Sequence, residues 1–293
     1  MSLDSLRNVS EDCQTILDEA YGMFKSKAYK NFLYVEGATD RKFLKNKGFD
    51  EDNYFYLGMN GKSLVLSGLD FYSNNDIYQK IEKIAFLIDN DYDHVLNNIK
   101  EHEKIFIHSV CKNKKEHYLN DLEVYLVESD SLFFWLEEFN LTKAQISELK
   151  INIELESRRI GKYRASNELL KKIKMMDEKS TILFDFEIEN FIDERNFLFL
   201  EKNFEARLKI CSPRKNLVDE LCSLSEQVNS DYPQPWALSR GHDVTDLIAI
   251  YLYSKHNIDL TTKQVERYLR LSIDTNSLQK YHLYNSLCNF FKA

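Results

Sequence analysis

The chain has 293 residues, enough for one large domain or two ordinary ones, each with a real hydrophobic core. Hydrophobic residues make up 43% and charged residues 29%; no segment approaches the roughly 18 apolar residues of a membrane span, which excludes a transmembrane protein. With 39 basic against 47 acidic side chains the formal net charge is −8, which excludes a coat for nucleic acid held by bulk charge and leaves only local contacts with DNA or RNA.

The opening MSLDSLRNVSEDC has no apolar core, so no signal peptide is expected and the cytoplasm is the expected compartment. The five cysteines are odd in number and lack CxxC spacing, as ordinary reduced thiols do. Ser10 is a suitable N-cap for an amphipathic helix in which Cys13, Ile16, Leu17, Ala20, Tyr21 and Phe24 share one stripe. Short, almost wholly apolar runs come next: Phe32 to Val35, ending in Glu36-Gly37 before a helical stretch from Thr39 to Lys47, then Tyr54 to Leu57, closed by Gly58. After a helical stretch around Tyr72 to Ile84 come Ile84 to Ile88, running into Asp89-Asn90-Asp91-Tyr92-Asp93, and Ile105 to Val110. Continuous apolar strands alternating with helices predict a parallel sheet covered on both faces, an α/β domain whose chemistry gathers at the strands' carboxyl ends.

From Leu122 the spacing of Leu122, Tyr125, Leu126, Phe133 and Leu136 predicts helix. Ser157 to Met176 is the most basic strip, with seven lysines and arginines against the single Glu168. Phe184, Phe186 and Ile188 alternate with Asp185, Glu187 and Glu189 in the two-residue period of a half-buried strand. Glu205 to Val228 and Val244 to His256 read as helices, the second capped by Asp243 after Gly241.

Two strand ends carry carboxylates: Glu36 after FLYV, and Asp89 and Asp91 after IAFLI. Side by side in a parallel sheet they would cluster hard oxygen ligands whose mutual repulsion a divalent cation relieves. Mg²⁺ or Mn²⁺ suits such a set, and its habit of pairing one or two carboxylates with a phosphate suits phosphodiester chemistry. The plainer alternative is a solvated acidic turn and a charge at a helix start. GMNGKS, from Gly58 to Ser63, is too short between its glycines for a phosphate loop; it is a turn before a helix or a loop that lends Lys62 to a backbone phosphate. No HExxH, CxxC or HxH spacing supports zinc. The strip containing Arg158, Arg159 and Lys162 is either a phosphate track, a solvated helix face or a dock for an acidic partner.

FLYVEGATD with FLIDNDYD, joined by GMNGKS, HYLNDLEVYL (His117 to Leu126) and RGHD (Arg240 to Asp243), resembles the TOPRIM-like nucleases related to overcoming-lysogenization-defect nucleases, a family that includes the effector of anti-phage PARIS systems. The resemblance implies a TOPRIM-like parallel sheet flanked by helices over residues 1–127, with the N-terminal helix. Residues 128–293 would form a mainly helical region with a short β segment, packing on the first domain. It implies an Mg²⁺- or Mn²⁺-dependent endonuclease, with Glu36, Asp89 and Asp91 catalytic and Glu36, Asp89, Asp91, Asp93 and Glu123 around the metal. Lys62, Lys112, Lys114, Lys115, Arg158, Arg159 and Lys162 are the candidates for nucleic-acid contact. By the same analogy the substrate is RNA, tRNA included, or DNA; the role is that of a toxic defence effector restrained by a partner ATPase, and a homodimer is admitted. The alternative is a non-catalytic regulatory or scaffold subunit with a vestigial acidic site.

Overall fold

The structure, a computed structural model, describes residues 12–107, 119–177 and 179–292. Within them the chain divides into two units, and the division does not fall at 127/128. The first unit runs to Asp89, takes in the stretch from Lys100 to Ile107, and is completed by the segment from Asp274; the second takes in Asn90–Ile99 and the described residues from Leu119 to Ile273. A contiguous cut was expected because local patterning cannot show a chain returning to an earlier unit. Among the described residues no helix is long and apolar enough to cross a membrane.

In the first unit, strands β1 (Asn31–Val35), β2 (Tyr54–Gly58), β3 (Ile84–Ile88) and β4 (Ile105–Ile107) form a parallel sheet in the order β2-β1-β3-β4. Residues 108–110 of the expected fourth strand lie outside the described residues. Helix α1 (Cys13–Lys25) is capped by Asp12, whose carboxylate accepts from the Gln14 and Thr15 amides; Ser10 lies outside the described residues. Helices α2 (Ala38–Lys45), α3 (Lys62–Ser73) and α4 (Asp76–Gln79) complete the crossovers. The helical stretch expected over 72–84 is displaced: α3 starts ten residues earlier, at Lys62, because Gly61 at φ +91° turns the chain directly into it. Ile16, Leu17 and Ala20 of α1 and Leu64, Val65 and Leu69 of α3 pack in one core with Phe32, Tyr34 and Phe86. The alternate residues Leu33, Val35, Ala85 and Leu87 are buried too, so both faces are covered, as continuous apolar strands require.

The second unit is built on α7 (Lys143–Ile173), a 31-residue helix that begins with a capping box of Thr142 and Gln145. Before it come α5 (Leu122–Glu128) and α6 (Ser131–Leu136). After it come a two-stranded antiparallel ribbon of β5 (Ile192–Asp193) and β6 (Leu198–Phe199), and then helices α8 (Glu201–Cys211), α9 (Val218–Asp231), α10 (Gly241–His256) and α11 (Thr262–Ser272). A Cβ on Gly161 would fall 1.8 Å from the Leu238 carbonyl oxygen, so glycine is what lets α7 meet that backbone. Short helices α12 (Thr275–Leu278) and α13 (His282–Lys292) belong to the first unit, where Tyr284 donates to the Lys47 carbonyl at 2.6 Å.

Two expectations are corrected by these elements. The helix expected over 205–228 is two helices, α8 and α9, because Pro213 forces Ser212 into extended backbone (ψ 135°) and ends α8. The alternation from Phe184 to Glu189 is not a strand, since β5 starts only at Ile192. Its period reflects Phe184 and Phe186 packing on Phe191 and Phe204 instead.

Candidate metal centre and nucleic-acid interface

Parallel register brings Val35 opposite Leu87, so Glu36 and Asp89, just beyond the ends of β1 and β3, meet at one edge of the first unit. Their contact is direct: the Asp89 N–H donates to Glu36 Oε1 at 2.6 Å. Both residues are half-buried, which strengthens a charge-assisted hydrogen bond relative to water. Next to them Asp40 is buried, and its Oδ2 accepts from the Gly37 N–H at 2.9 Å. Asp40 therefore fastens the turn that carries Glu36 into α2.

Past Asp89 the chain enters the second unit through a strained turn. Asp91 and Tyr92 have φ of 45° and 66°, in the left-handed region that costs non-glycine residues about 1 kcal/mol or more each. Asn120, 1% exposed, holds them there. Its carbonyl accepts from the Asn90 and Asp91 amides at 2.9 and 3.0 Å, and its side-chain oxygen accepts from the Tyr92 amide at 2.8 Å. Its side-chain amide donates to the carbonyls of Ala237 and Ser239 at 3.2 and 2.6 Å. Tyr92 is anchored at its other end, donating to the Leu238 carbonyl at 3.1 Å. Asp91 remains exposed, whereas Asp93 is buried.

Asp121 caps α5, accepting from the Val124 N–H at 3.0 Å and from the Gly241 N–H at 2.6 Å. A side chain on Gly241 would strike the Asp121 carboxylate at 2.5 Å, which is why glycine precedes His242 in RGHD. Burial, reinforced by the charges of Glu123 and Asp91, pushes the Asp121 carboxyl up to about 7. Glu123 itself faces Arg270 at 3.4 Å, so a guanidinium already stands at a carboxylate expected beside the metal. Among the described residues no group of three or more His, Cys, Asp and Glu side chains is gathered closely enough to hold a metal ion.

The expected phosphate contacts divide sharply. Lys162 is buried, with its ammonium against Glu201 at 2.5 Å and also against Glu226. Arg158 reaches Glu154 at 2.9 Å and donates to the carbonyls of Tyr232, at 2.8 Å, and Gln234. These two are corrected from phosphate contacts to internal ties: the middle of α7 is buried, and its basic residues are taken up by carboxylates and carbonyls of their own unit. Arg159, 35% exposed, stands 3.6 Å from Glu156. Lys62 opens α3. Lys112, Lys114 and Lys115 lie outside the described residues.

Sequence reading missed Asn120, although NDLE just before an apolar run signals a helix start there. It also misplaced Asp243, which does not cap α10; Arg240 occupies the cap position. Asp243 is 2% exposed and grips Arg164 of α7 through two bonds of 2.5 and 2.7 Å. His242 is exposed and stands 3.5 Å from Glu266. Comparison of the chain with protein-family models, with curated proteins and with solved structures finds no match.

Proposed function

We propose that this chain is an Mg²⁺- or Mn²⁺-dependent nuclease of the TOPRIM type, acting on phosphodiester bonds of RNA or DNA. The observation that carries the reading is the hydrogen bond between Glu36 and the Asp89 amide across neighbouring parallel strand ends, the position where α/β sheets place their chemistry. The donor chemistry of Glu36 and Asp89, carboxylate oxygens at one edge of the first unit, suits a hard cation, with no sulfur or imidazole required. A bound divalent ion supplies charge stabilisation and a more acidic water. The protein's own part is to hold these oxygens in place and to move a proton at the Glu36 carboxylate, whose orientation the Asp89 amide sets. Asn120 presents Asp91 by clamping the left-handed turn. The wider role, a defence effector acting on tRNA and restrained by a partner ATPase, rests on family likeness in the motifs alone.

The test is incubation of purified protein with tRNA, single-stranded DNA and duplex DNA, each with Mg²⁺ and with EDTA. Cleavage of at least one substrate is expected with Mg²⁺ only, and its loss in Glu36→Gln and Asp89→Asn. Full activity in either variant refutes the mechanism. No cleavage together with no Mn²⁺ binding by calorimetry makes the chain a non-catalytic regulatory subunit.

A further inference from the structure

The helical unit contains a cleft of about 470 Å³ whose walls include Asp91, Tyr92, Arg164, Phe184, Asp185 and Arg240. Its two arginines differ in what they offer. Arg164 is spent on Asp243 and lies over the Phe186 ring at 4.8 Å. The Arg240 side chain is exposed and makes no hydrogen bond or ion pair among the described residues, so its guanidinium is available to a phosphate. Phe184 is held by its neighbours, its ring 5.8 Å from Phe204 at an interplanar angle of 29° and 5.4 Å from Phe186. A ring fixed in this way loses little entropy when a base stacks on it. The carboxylates set the sign of the remaining wall. Glu168 is taken by Lys171 and by the Asn167 amide, both at 2.9 Å, whereas Asp185 is exposed and has no hydrogen bond or ion pair among the described residues. An unpaired carboxylate repels a second phosphate but accepts from the N–H donors of a base edge.

We propose that this cleft binds one unpaired nucleotide of a single-stranded nucleic acid, with its phosphate on Arg240, its base on Phe184 and its base-edge amino group on Asp185. The proposal rests on the nuclease reading for its connection to Asp91, and adds to it a substrate class. The volume lies within the range of small-ligand sites, about 300–1,000 Å³, and duplex bases, already stacked and paired, cannot reach a ring in a cleft. Cytosine and guanine present donors to a carboxylate where thymine and uracil present a carbonyl, so the pocket favours the former.

The experiment is fluorescence anisotropy with the full chain in EDTA, which removes turnover from the measurement. Labelled dC12, labelled dT12 and a duplex of matched length are titrated, with free dCMP as competitor. Tighter binding of dC12 than of dT12 or the duplex is expected. Arg240→Gln should weaken dC12 binding about tenfold and reduce the slope against salt by about one ion. Phe184→Leu, which keeps an apolar side chain but removes the ring, should also weaken it about tenfold. Asp185→Asn should erase the preference for dC12 over dT12. Melting temperatures within about 2 °C of the parent show that the variants fold. Unchanged binding in Arg240→Gln and Phe184→Leu, duplex binding as tight as single strand, or dCMP competing as strongly as dC12 each overturns the proposal. If the parent cleaves nothing with Mg²⁺ yet these variants lose binding, the cleft stands and the nuclease reading fails; cleavage that depends on Asp89 with unaltered binding gives the reverse.

Discussion

Asn120→Ala should destabilise the helical unit by about 3–5 kcal/mol, more than the loss of one side-chain hydrogen bond can explain. The side chain accepts from the Tyr92 amide at 2.8 Å and donates to Ala237 and Ser239 at 3.2 and 2.6 Å, in a residue 1% exposed. Truncation leaves three main-chain groups without this partner in a buried setting, at about 1–1.5 kcal/mol each, and releases a turn that holds Asp91 and Tyr92 at positive φ. Asn120→Asp keeps the acceptor for Tyr92 but sets a carboxylate against two carbonyl oxygens, so at pH 7 it should be at least as damaging. Asn74→Ala is the control: its amide donates to the Asp70 carbonyl at 2.8 Å on an exposed helix end, and should cost under about 1 kcal/mol. Urea unfolding gives the total. Hydrogen exchange at the Tyr92 amide gives the local opening, which is needed because two units need not unfold as one. A loss below about 1 kcal/mol in Asn120→Ala, with Tyr92 exchange unchanged, would refute the clamp, and with it the account of how Asp91 is presented.

Arg164→Met strands Asp243, 2% exposed, without its bidentate partner, and should cost about 3–5 kcal/mol by chemical denaturation. Adding Asp243→Leu should recover part of that loss, and strict additivity in the double variant would show that the two do not act as a pair. Glu128 has a buried Oε2 with no hydrogen-bond partner among the described residues, and burial, opposed by the charge of Lys150, raises its carboxyl above the usual range. Because the folded state holds this proton more tightly than the unfolded chain does, its contribution is full below about pH 4.5 and is lost as pH rises through the raised folded value. The stability of Glu128→Gln relative to the parent should accordingly rise between about pH 4 and pH 7 in paired denaturation curves, and a difference that does not change with pH would refute the assignment.

Much of the sheet was legible because parallel strands buried on both faces must be continuously apolar. FLYV, YFYL and IAFLI announce themselves, and Glu36 and Asp89 emerge as strand-end carboxylates from local pattern alone. The basic run along α7 misled for the opposite reason. Charge in a sequence carries no sign of what faces it, and only the fold set Glu154, Glu201, Glu226 and Asp243 opposite Arg158, Lys162 and Arg164. The alternation at Phe184 to Glu189 looked like a strand because a two-residue period records only which side is buried, whether against a neighbouring strand or against a cluster of rings.

From its own residues the chain determines four apolar strands, the carboxylates that close two of them, and the helical character of most of the sequence beyond Leu122, since each of these depends on neighbours a few positions away. Tertiary structure alone decided that the segment from Asp274 completes the first unit, that Asn120 clamps the turn bearing Asp91, and that Arg164 is held by Asp243 while the Arg240 side chain has no ion-pair partner among the described residues. Those outcomes join residues tens to hundreds of positions apart, where burial and hydrogen-bond saturation, rather than local periodicity, select the partner.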